Sequence, residues 1–186
     1  MNVILTSDIM SPDKRQLNSQ NGFVDKIQEY VGDINCLYIP SDPHTPLLTN
    51  TISSHHKRAF EKSGFTVKNW EVLSIYKKSI IQQLISQSNL IILAGGHVPT
   101  QNKFFHHIHL QKYIKNYDGL VIGISAGSMN SAAEVYAQPE NFGEVKSTHY
   151  RRFLKGLGIV DISVLPHYKE IKHQRIDNQR IMEDVT

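Results

Sequence analysis

Short apolar runs, most of them rich in β-branched residues, alternate along the chain with longer segments of helical periodicity. Each run is expected to form a strand, and the runs cover residues 3–5, 34–39, 65–72, 90–93, 120–124 and 162–165. Three stretches within them, 36–39, 90–93 and 120–122, are continuously apolar rather than alternating, which is typical of strands buried on both faces. The pattern therefore favours a sheet that is covered on both sides.

The segments between these runs repeat their apolar residues with helical spacing. In the first, Phe23, Ile27, Tyr30 and Val31 share one face, and the segment ends at Gly32. The predicted helices cover residues 23–31, 49–62, 80–85 and 99–117, and residues 171–185 suggest a further helix. A glycine just past a periodic segment is a common helix C-terminus.

This alternation predicts an α/β fold, with a parallel sheet, right-handed crossovers and helices on both faces. No internal repeat, low-complexity stretch or linker divides the chain, so we expect one domain over residues 1–186. Ligands of such sheets bind at the carboxyl ends of the strands, and candidate chemistry is therefore sought there.

Composition narrows the function classes. Hydrophobic residues make up 40% and charged residues 20% of the 186 residues, which excludes a disordered or fibrous chain. A net charge of +3, scattered along the sequence, gives no support for a nucleic acid or membrane partner. The single Cys36 cannot form an internal disulfide, and no stretch approaches the ~18 apolar residues of a membrane span. We expect a soluble cytoplasmic protein.

The segment 120–130 joins a predicted buried strand directly to a helix start rich in small residues. Within it, Gly123-Ile124-Ser125-Ala126-Gly127 is a complete G-x-S-x-G elbow. A nucleophile on so sharp a turn needs neighbours without bulk at both glycine positions. The alternative is a purely structural strand-to-helix turn, but the strand before and the helix after favour a nucleophilic Ser125.

Two other predicted strands end in candidate site residues at the same edge of the sheet. Gly95-Gly96 follows the strand 90–93 and can present an unobstructed backbone amide to an anion, although a phosphate cradle or a tight turn would also use such a pair. His167 follows the run 162–165 and is a candidate base. The order nucleophile, acid, base leaves four carboxylates as candidate acids, which are Glu134, Glu140, Glu144 and Asp161.

Taken together, Gly95-Gly96, the Ser125 elbow and Pro166-His167-Tyr168 resemble the dipeptidase E and cyanophycinase family of serine peptidases, from about Ile4 to the C-terminus. The resemblance implies a flavodoxin-like αβα sandwich related to class I glutamine amidotransferases, with serine in place of their cysteine. It implies Ser125 as nucleophile and His167 as base, with the Gly96 and Ala126 amides as oxyanion hole. The family's acid position, 15 residues after the serine, falls on Glu140.

The implied activity is hydrolysis of small peptides, with no cofactor. Known family members select acidic residues, but no matched set of specificity residues is found in this sequence. The family also continues with further C-terminal strands, whereas this sequence stops at Thr186, so we expect an incomplete sheet. An exposed sheet edge favours self-association, which leaves a homodimer open.

Two alternative functions stay open from the sequence. An esterase-type serine hydrolase uses the same elbow and the same order of residues, and a non-catalytic binding protein could retain the pocket without the chemistry. A metal site is not expected, because no carboxylate or cysteine near His106 and His109 supplies the further ligands that a metal ion would need.

Overall fold

The centre of the molecule is a five-stranded parallel sheet in the order β1-β5-β4-β2-β3. The computed structural model describes residues 1–185 and, of Tyr76, the backbone alone. The strands are β1 (Asn2–Thr6), β2 (Ile34–Ile39), β3 (Val67–Val72), β4 (Leu90–Leu93) and β5 (Leu120–Ile124). These confirm the five strands that the sequence predicts before residue 125. β5 lies between β1 and β4, with Thr6 opposite Ile124 and Leu93 opposite Gly123.

Helices cover both faces of the sheet because the strands are apolar on both sides. On β2, Cys36 and Tyr38 belong to one buried cluster, and Leu37 and Ile39 belong to another. The helices α1 (Phe23–Tyr30) and α2 (Pro46–Lys62) pack on the first face, and α3 (Ile81–Ser86), α4 (Val98–His107) and α5 (Leu110–Ile114) pack on the second. The predicted αβα sandwich is therefore confirmed.

The prediction of one helix over residues 99–117 is wrong, because this segment forms two helices. The chain turns at His109, whose φ is 53°, so α4 ends before it and α5 begins after it. Ile108 and Leu110 are both fully buried. Residues two apart point to nearly opposite sides of a straight helix, and the break allows both side chains to pack inward.

The chain after β5 lies outside the main sheet. It forms α6 (Ala126–Asn130), an antiparallel pair of β6 (Glu134–Tyr136) and β7 (Phe153–Lys155), the short helix α7 (Tyr168–Ile171), and a second pair of β8 (Arg175–Ile176) and β9 (Gln179–Arg180). The predicted strand over residues 162–165 is wrong. Ile162 is 60% exposed, and the Ser163 hydroxyl donates to the carbonyl oxygen of Glu134, which ties the segment to β6.

The single helix suggested over residues 171–185 is also wrong, because the β8–β9 hairpin interrupts it. Asp177 and Asn178 both have positive φ, 53° and 66°, and they form the tight turn between β8 and β9. Aspartate and asparagine tolerate this left-handed conformation better than most residues, and two in succession are typical of a hairpin turn. A π-helical turn over Ile181–Val185 follows.

Candidate active site

Ser125 lies at the carboxyl end of β5 in a backbone conformation that L-residues rarely adopt. Its φ is 49° and its ψ is −109°, which places it outside both helix and strand regions. The turn is held from two sides: the Ser125 N–H donates to the Thr6 carbonyl at 2.8 Å, and the Met129 N–H donates to the Ser125 carbonyl at 3.1 Å. Among the described residues, the Ser125 hydroxyl has no hydrogen-bond partner.

The two glycines of the elbow are required by close backbone contacts. A Cβ at Gly127 would overlap the carbonyl group of Leu93 on β4, and a Cβ at Gly123 would lie 2.8 Å from the Cα of Ser128. Neither backbone can move without displacing a central strand. This confirms that the spacing Gly123-x-Ser125-x-Gly127 reflects a steric need.

The Ser128 side chain fixes the elbow to the neighbouring strand. Its hydroxyl oxygen accepts from the Thr6 N–H at 3.0 Å, and the hydroxyl lies 2.8 Å from the Thr6 carbonyl and 2.7 Å from that of Gly123, to which it can donate. Ser128 is 1% exposed. The first turn after the nucleophile is therefore locked to the end of β1.

The glycine loop after β4 lies directly against the nucleophile. A Cβ at Gly95 would be 3.4 Å from the Cβ of Ser125. Gly96 has a φ of +145°, and a Cβ there would overlap the side chain of Ser41, which follows β2. Within the described residues, the backbone N–H groups of Gly96 and Ala126 meet no acceptor. Both amides therefore stay candidates for the predicted oxyanion hole.

His167 lies near the end of β1, next to the strand that carries Ser125. Its backbone N–H donates to the Ser7 hydroxyl at 3.4 Å, and its φ is 56°. The side chain is exposed, and its ring makes no hydrogen bond in the part of the chain described. The structure therefore places the His167 backbone at the same edge of the sheet as Ser125, and among the described residues the ring bonds neither the serine nor a carboxylate.

The four candidate acids have different surroundings. Glu134 and Asp161 are exposed, whereas Glu140 and Glu144 are partly buried in the loop after β6. The Gln138 side-chain amide donates to Glu140 at 3.2 Å. Burial, and after it the charge of Glu144, raises the pKa of Glu140 to about 7. Glu140 is therefore the carboxyl group in this loop that changes charge near neutral pH.

Glu144 stabilises the loop that carries Glu140. Its carboxylate accepts from the backbone N–H groups of Glu140 and Asn141 at 2.8 and 3.0 Å. Partial burial acts to raise the pKa of Glu144, but these bonds, the Asn141 side chain and nearby His97 together lower it. The His97 Nε2 lies 3.0 Å from Glu144 Oε1, so the acidic loop reaches the residue that follows the Gly95-Gly96 pair.

The same loop also packs toward the His167 segment. The Gly143 N–H donates to the Asp177 carboxylate at 2.8 Å, and Val145 packs against the cluster that holds Ile171 and Leu165. Among the described residues, the side chains of Glu140 and His167 form no hydrogen bond or ion pair with each other. The two segments are neighbours, while the catalytic pairing expected from the sequence stays a prediction.

Sequence reasoning missed a buried polar network behind the glycine loop. Gln101, Asn102 and Asn130 are 0%, 6% and 0% exposed and bond to one another and to backbone carbonyls. The sequence carried a signal for Asn130, which stands among small and apolar residues at 126–133, whereas Gln101 and Asn102 stand between Thr100 and Lys103 and have the pattern of a solvent-facing helix. Buried amides are retained only when they are hydrogen-bonded.

Comparison with known proteins identifies the family of the chain. The sequence matches peptidase family S51 over residues 4–186, nearly the whole chain. The chain belongs to peptidase family S51. A member of this family is a serine-type peptidase, a hydrolase of peptide bonds, and the predicted family is thereby confirmed. No curated protein matches the sequence at a significant level.

Solved structures similar to this S51 chain share its fold. A candidate peptidase E from Listeria monocytogenes EGD-e is 23% identical with a TM-score of 0.64, over 90% of this chain and 79% of the other. A peptidase from an acI-B1 actinobacterium is 18% identical with a TM-score of 0.67, over 98% of this chain and 75% of the other. Among the described residues, no helix has the length and apolar character needed to cross a bilayer.

Proposed function

We propose that this S51 peptidase hydrolyses small peptides through Ser125, His167 and Glu140. Ser125 Oγ attacks the peptide carbonyl carbon while His167 accepts the hydroxyl proton, and His167 then passes that proton to the leaving amine. Water, activated by the same histidine, attacks the acyl-enzyme, and the carboxylate product leaves Ser125 free again. The Gly96 and Ala126 N–H groups stabilise the oxyanion in both steps.

The observation that carries the proposal is the strained elbow at Ser125. A half-buried serine at φ 49°, between two glycines that no larger residue could replace, costs folding free energy, and this cost is explained if the serine is used as a nucleophile. The attack places negative charge on the carbonyl oxygen, and the backbone N–H groups of Gly96 and Ala126, which have no acceptor among the described residues, can donate to it. The family membership favours a peptidase over an esterase.

The roles of His167 and Glu140 are supported by their positions in the fold. His167 is joined by its backbone to Ser7, one residue beyond the β1 residue that binds the Ser125 N–H. Glu140 has the spacing of the family acid and a partly buried carboxyl group. Its task would be to accept the Nδ1–H of His167 and stabilise the imidazolium that forms during attack.

Labelling with a fluorophosphonate tests the nucleophile. We expect stoichiometric modification of the parent protein at Ser125, located by peptide mass mapping, and no modification of Ser125→Ala. The matched control Ser54→Ala removes an exposed hydroxyl on α2 and should be labelled like the parent. Labelling that persists in Ser125→Ala would place the nucleophile on another residue.

A substrate panel tests the reaction. We expect turnover of dipeptides, aspartyl dipeptides among them, to fall by at least about 10³-fold in Ser125→Ala while circular dichroism stays unchanged. Turnover confined to p-nitrophenyl esters would instead favour the esterase hypothesis. Ligand binding without any turnover in the parent would favour a non-catalytic binding protein.

A further inference from the structure

Three buried amide side chains lie between the glycine loop and the helix that follows the nucleophile. Gln101 and Asn102 belong to α4, and Asn130 is the last residue of α6. All three are at most 6% exposed. An amide buried without partners costs a few kcal/mol of folding free energy, so a buried amide must keep its hydrogen bonds. An apolar residue would avoid this requirement, and the presence of three amides here suggests that their hydrogen bonds have a use.

Gln101 connects the start of the glycine loop to α6. Its Nε2 donates to the Ala94 carbonyl at 2.6 Å, and its Oε1 accepts from the Asn130 Nδ2 at 3.1 Å. The Asn130 Nδ2 also donates to the Val98 carbonyl at 3.2 Å. Ala94 and Val98 are the two ends of the loop that contains Gly95 and Gly96, so both ends are tied to the helix that begins beside Ser125.

Asn102 fixes the orientation of Asn130. Its Nδ2 donates to Asn130 Oδ1 at 2.9 Å and to the Lys155 carbonyl on β7 at 2.9 Å. With its oxygen taken by Asn102, the Asn130 amide can turn only its NH₂ group toward Gln101 and Val98. This orientation makes Gln101 Oε1 the acceptor from Asn130, which leaves Gln101 Nε2 to donate to the Ala94 carbonyl.

We propose that Gln101 is a positioning residue for the oxyanion hole. By holding the Ala94 carbonyl, it keeps the Gly96 N–H directed at the same point as the Ala126 N–H. This rests on the proposed function, in which those two amides bind the oxyanion. Two consecutive glycines restrain the loop little by themselves, and stabilisation of a transition-state charge requires donors held within about 0.5 Å.

Replacement by methionine tests the proposal at nearly constant side-chain size. For Gln101→Met we expect kcat on a dipeptide to fall about 10- to 100-fold while KM changes less than about twofold. Phosphonylation of Ser125 should slow by a similar factor, since the phosphonyl oxygen occupies the same hole. Gln111→Met is the matched control: Gln111 on α5 donates to the Leu157 carbonyl at 2.9 Å, and its loss should leave kcat unchanged.

A glutamate variant separates positioning from plain destabilisation. In Gln101→Glu the carboxylate keeps the acceptor for Asn130 but cannot donate to Ala94, whereas the protonated acid can. We expect the ratio of its kcat to that of the parent to rise as the pH falls, even if Gln101→Met does not fold. A purely structural role would give a constant ratio.

The outcomes distinguish the two proposals. Parent-like kcat in Gln101→Met, a rise in KM alone, or a pH-independent ratio in Gln101→Glu would overturn the role of Gln101 and leave the Ser125 mechanism intact. If the parent itself is not labelled at Ser125, the proposed function fails and this inference fails with it.

Discussion

The two sides of Ser125 are built in opposite ways. On the β4 side, the glycine loop touches the serine and is tied to α6 by amides that are almost fully buried. On the β1 side, His167 is exposed and is joined to the strand end by one backbone hydrogen bond of 3.4 Å. The groups expected to bind charge are thus held rigidly, while the group expected to move a proton is loosely held. Substitutions on the first side should cost stability and activity together, and those on the second side activity alone.

The largest expected effect is on the loosely held side. His167→Asn should reduce kcat by about 10³- to 10⁴-fold, because asparagine tolerates the positive φ but cannot take the serine proton. The melting temperature should stay within about 1 °C of the parent, since the ring makes no hydrogen bond to the described residues. His173→Asn, an exposed histidine on the same segment, is the control. Full activity in His167→Asn would show that the base lies elsewhere.

The next largest effect is expected from a substitution on the β4 side, at Gly127. Gly127→Ala should lower the free energy of unfolding by about 3 kcal/mol or more, because the new methyl group overlaps the Leu93 carbonyl in the middle of the sheet. Gly32→Ala adds the same methyl group where no atom lies within 4 Å, and should change stability by no more than about 0.5 kcal/mol. Urea denaturation measures both. Equal stability of the two variants would contradict the close contact at the elbow.

The smallest of the three effects concerns the loop between the two sides. Because the pKa of Glu140 is about 7 in the folded protein and 4.5 is its ordinary value, the folded state alone keeps the proton between these pH values. The free energy of unfolding therefore falls as pH rises through this window. Glutamine does not ionise, so Glu140→Gln should not show this fall in the free energy of unfolding. The variant should be more stable than the parent at pH 8, and as stable as the parent at pH 4, where Glu140 is protonated in the folded protein.

The expected gain at pH 8 is on the order of 1–2 kcal/mol, since partial solvent exposure weakens the full effect of the shift. Thermal denaturation at the two pH values measures it, with Glu134→Gln as an exposed control. If Glu140 also orients His167, the same variant loses kcat by orders of magnitude at pH 8. A variant less stable than the parent at pH 8 would contradict the burial of the Glu140 carboxyl group.

The sequence predicted the parts of the molecule whose pattern is local. The five main strands follow from continuous apolar runs, and the elbow follows from three residue types at fixed spacing beside Ser125. The break at His109 was not predictable from periodicity, because Ile108 and Leu110 are buried together only after the chain turns. The run 162–165 has the composition of a strand, yet nothing local shows that it binds β6 instead of the sheet.

The acid is the part of the site that spacing cannot determine. Glu134, Glu140, Glu144 and Asp161 all carry a carboxyl group and lie between the serine and the histidine, so their surroundings in the fold are what distinguishes them. Glu144 is taken up by backbone amides of its own loop, and Glu140 is desolvated by the fold around it. Such differences arise from long-range packing, here between the loop and the segment that follows His167, and leave no periodic trace in the sequence.

Cys36 is an internal probe of transient opening of the central sheet. It lies on β2 opposite Trp70 of β3 and Leu90 of β4, its side chain is fully enclosed, and burial raises the pKa of its thiol well above the ordinary value. A thiol reagent can reach the sulfur only during the moments when the central strands separate. The rate at which Cys36 reacts with such a reagent therefore measures how often the sheet opens, and the measurement needs no substrate. Because the elbow forms only while the sheet is closed, this rate also reports how often the elbow is lost.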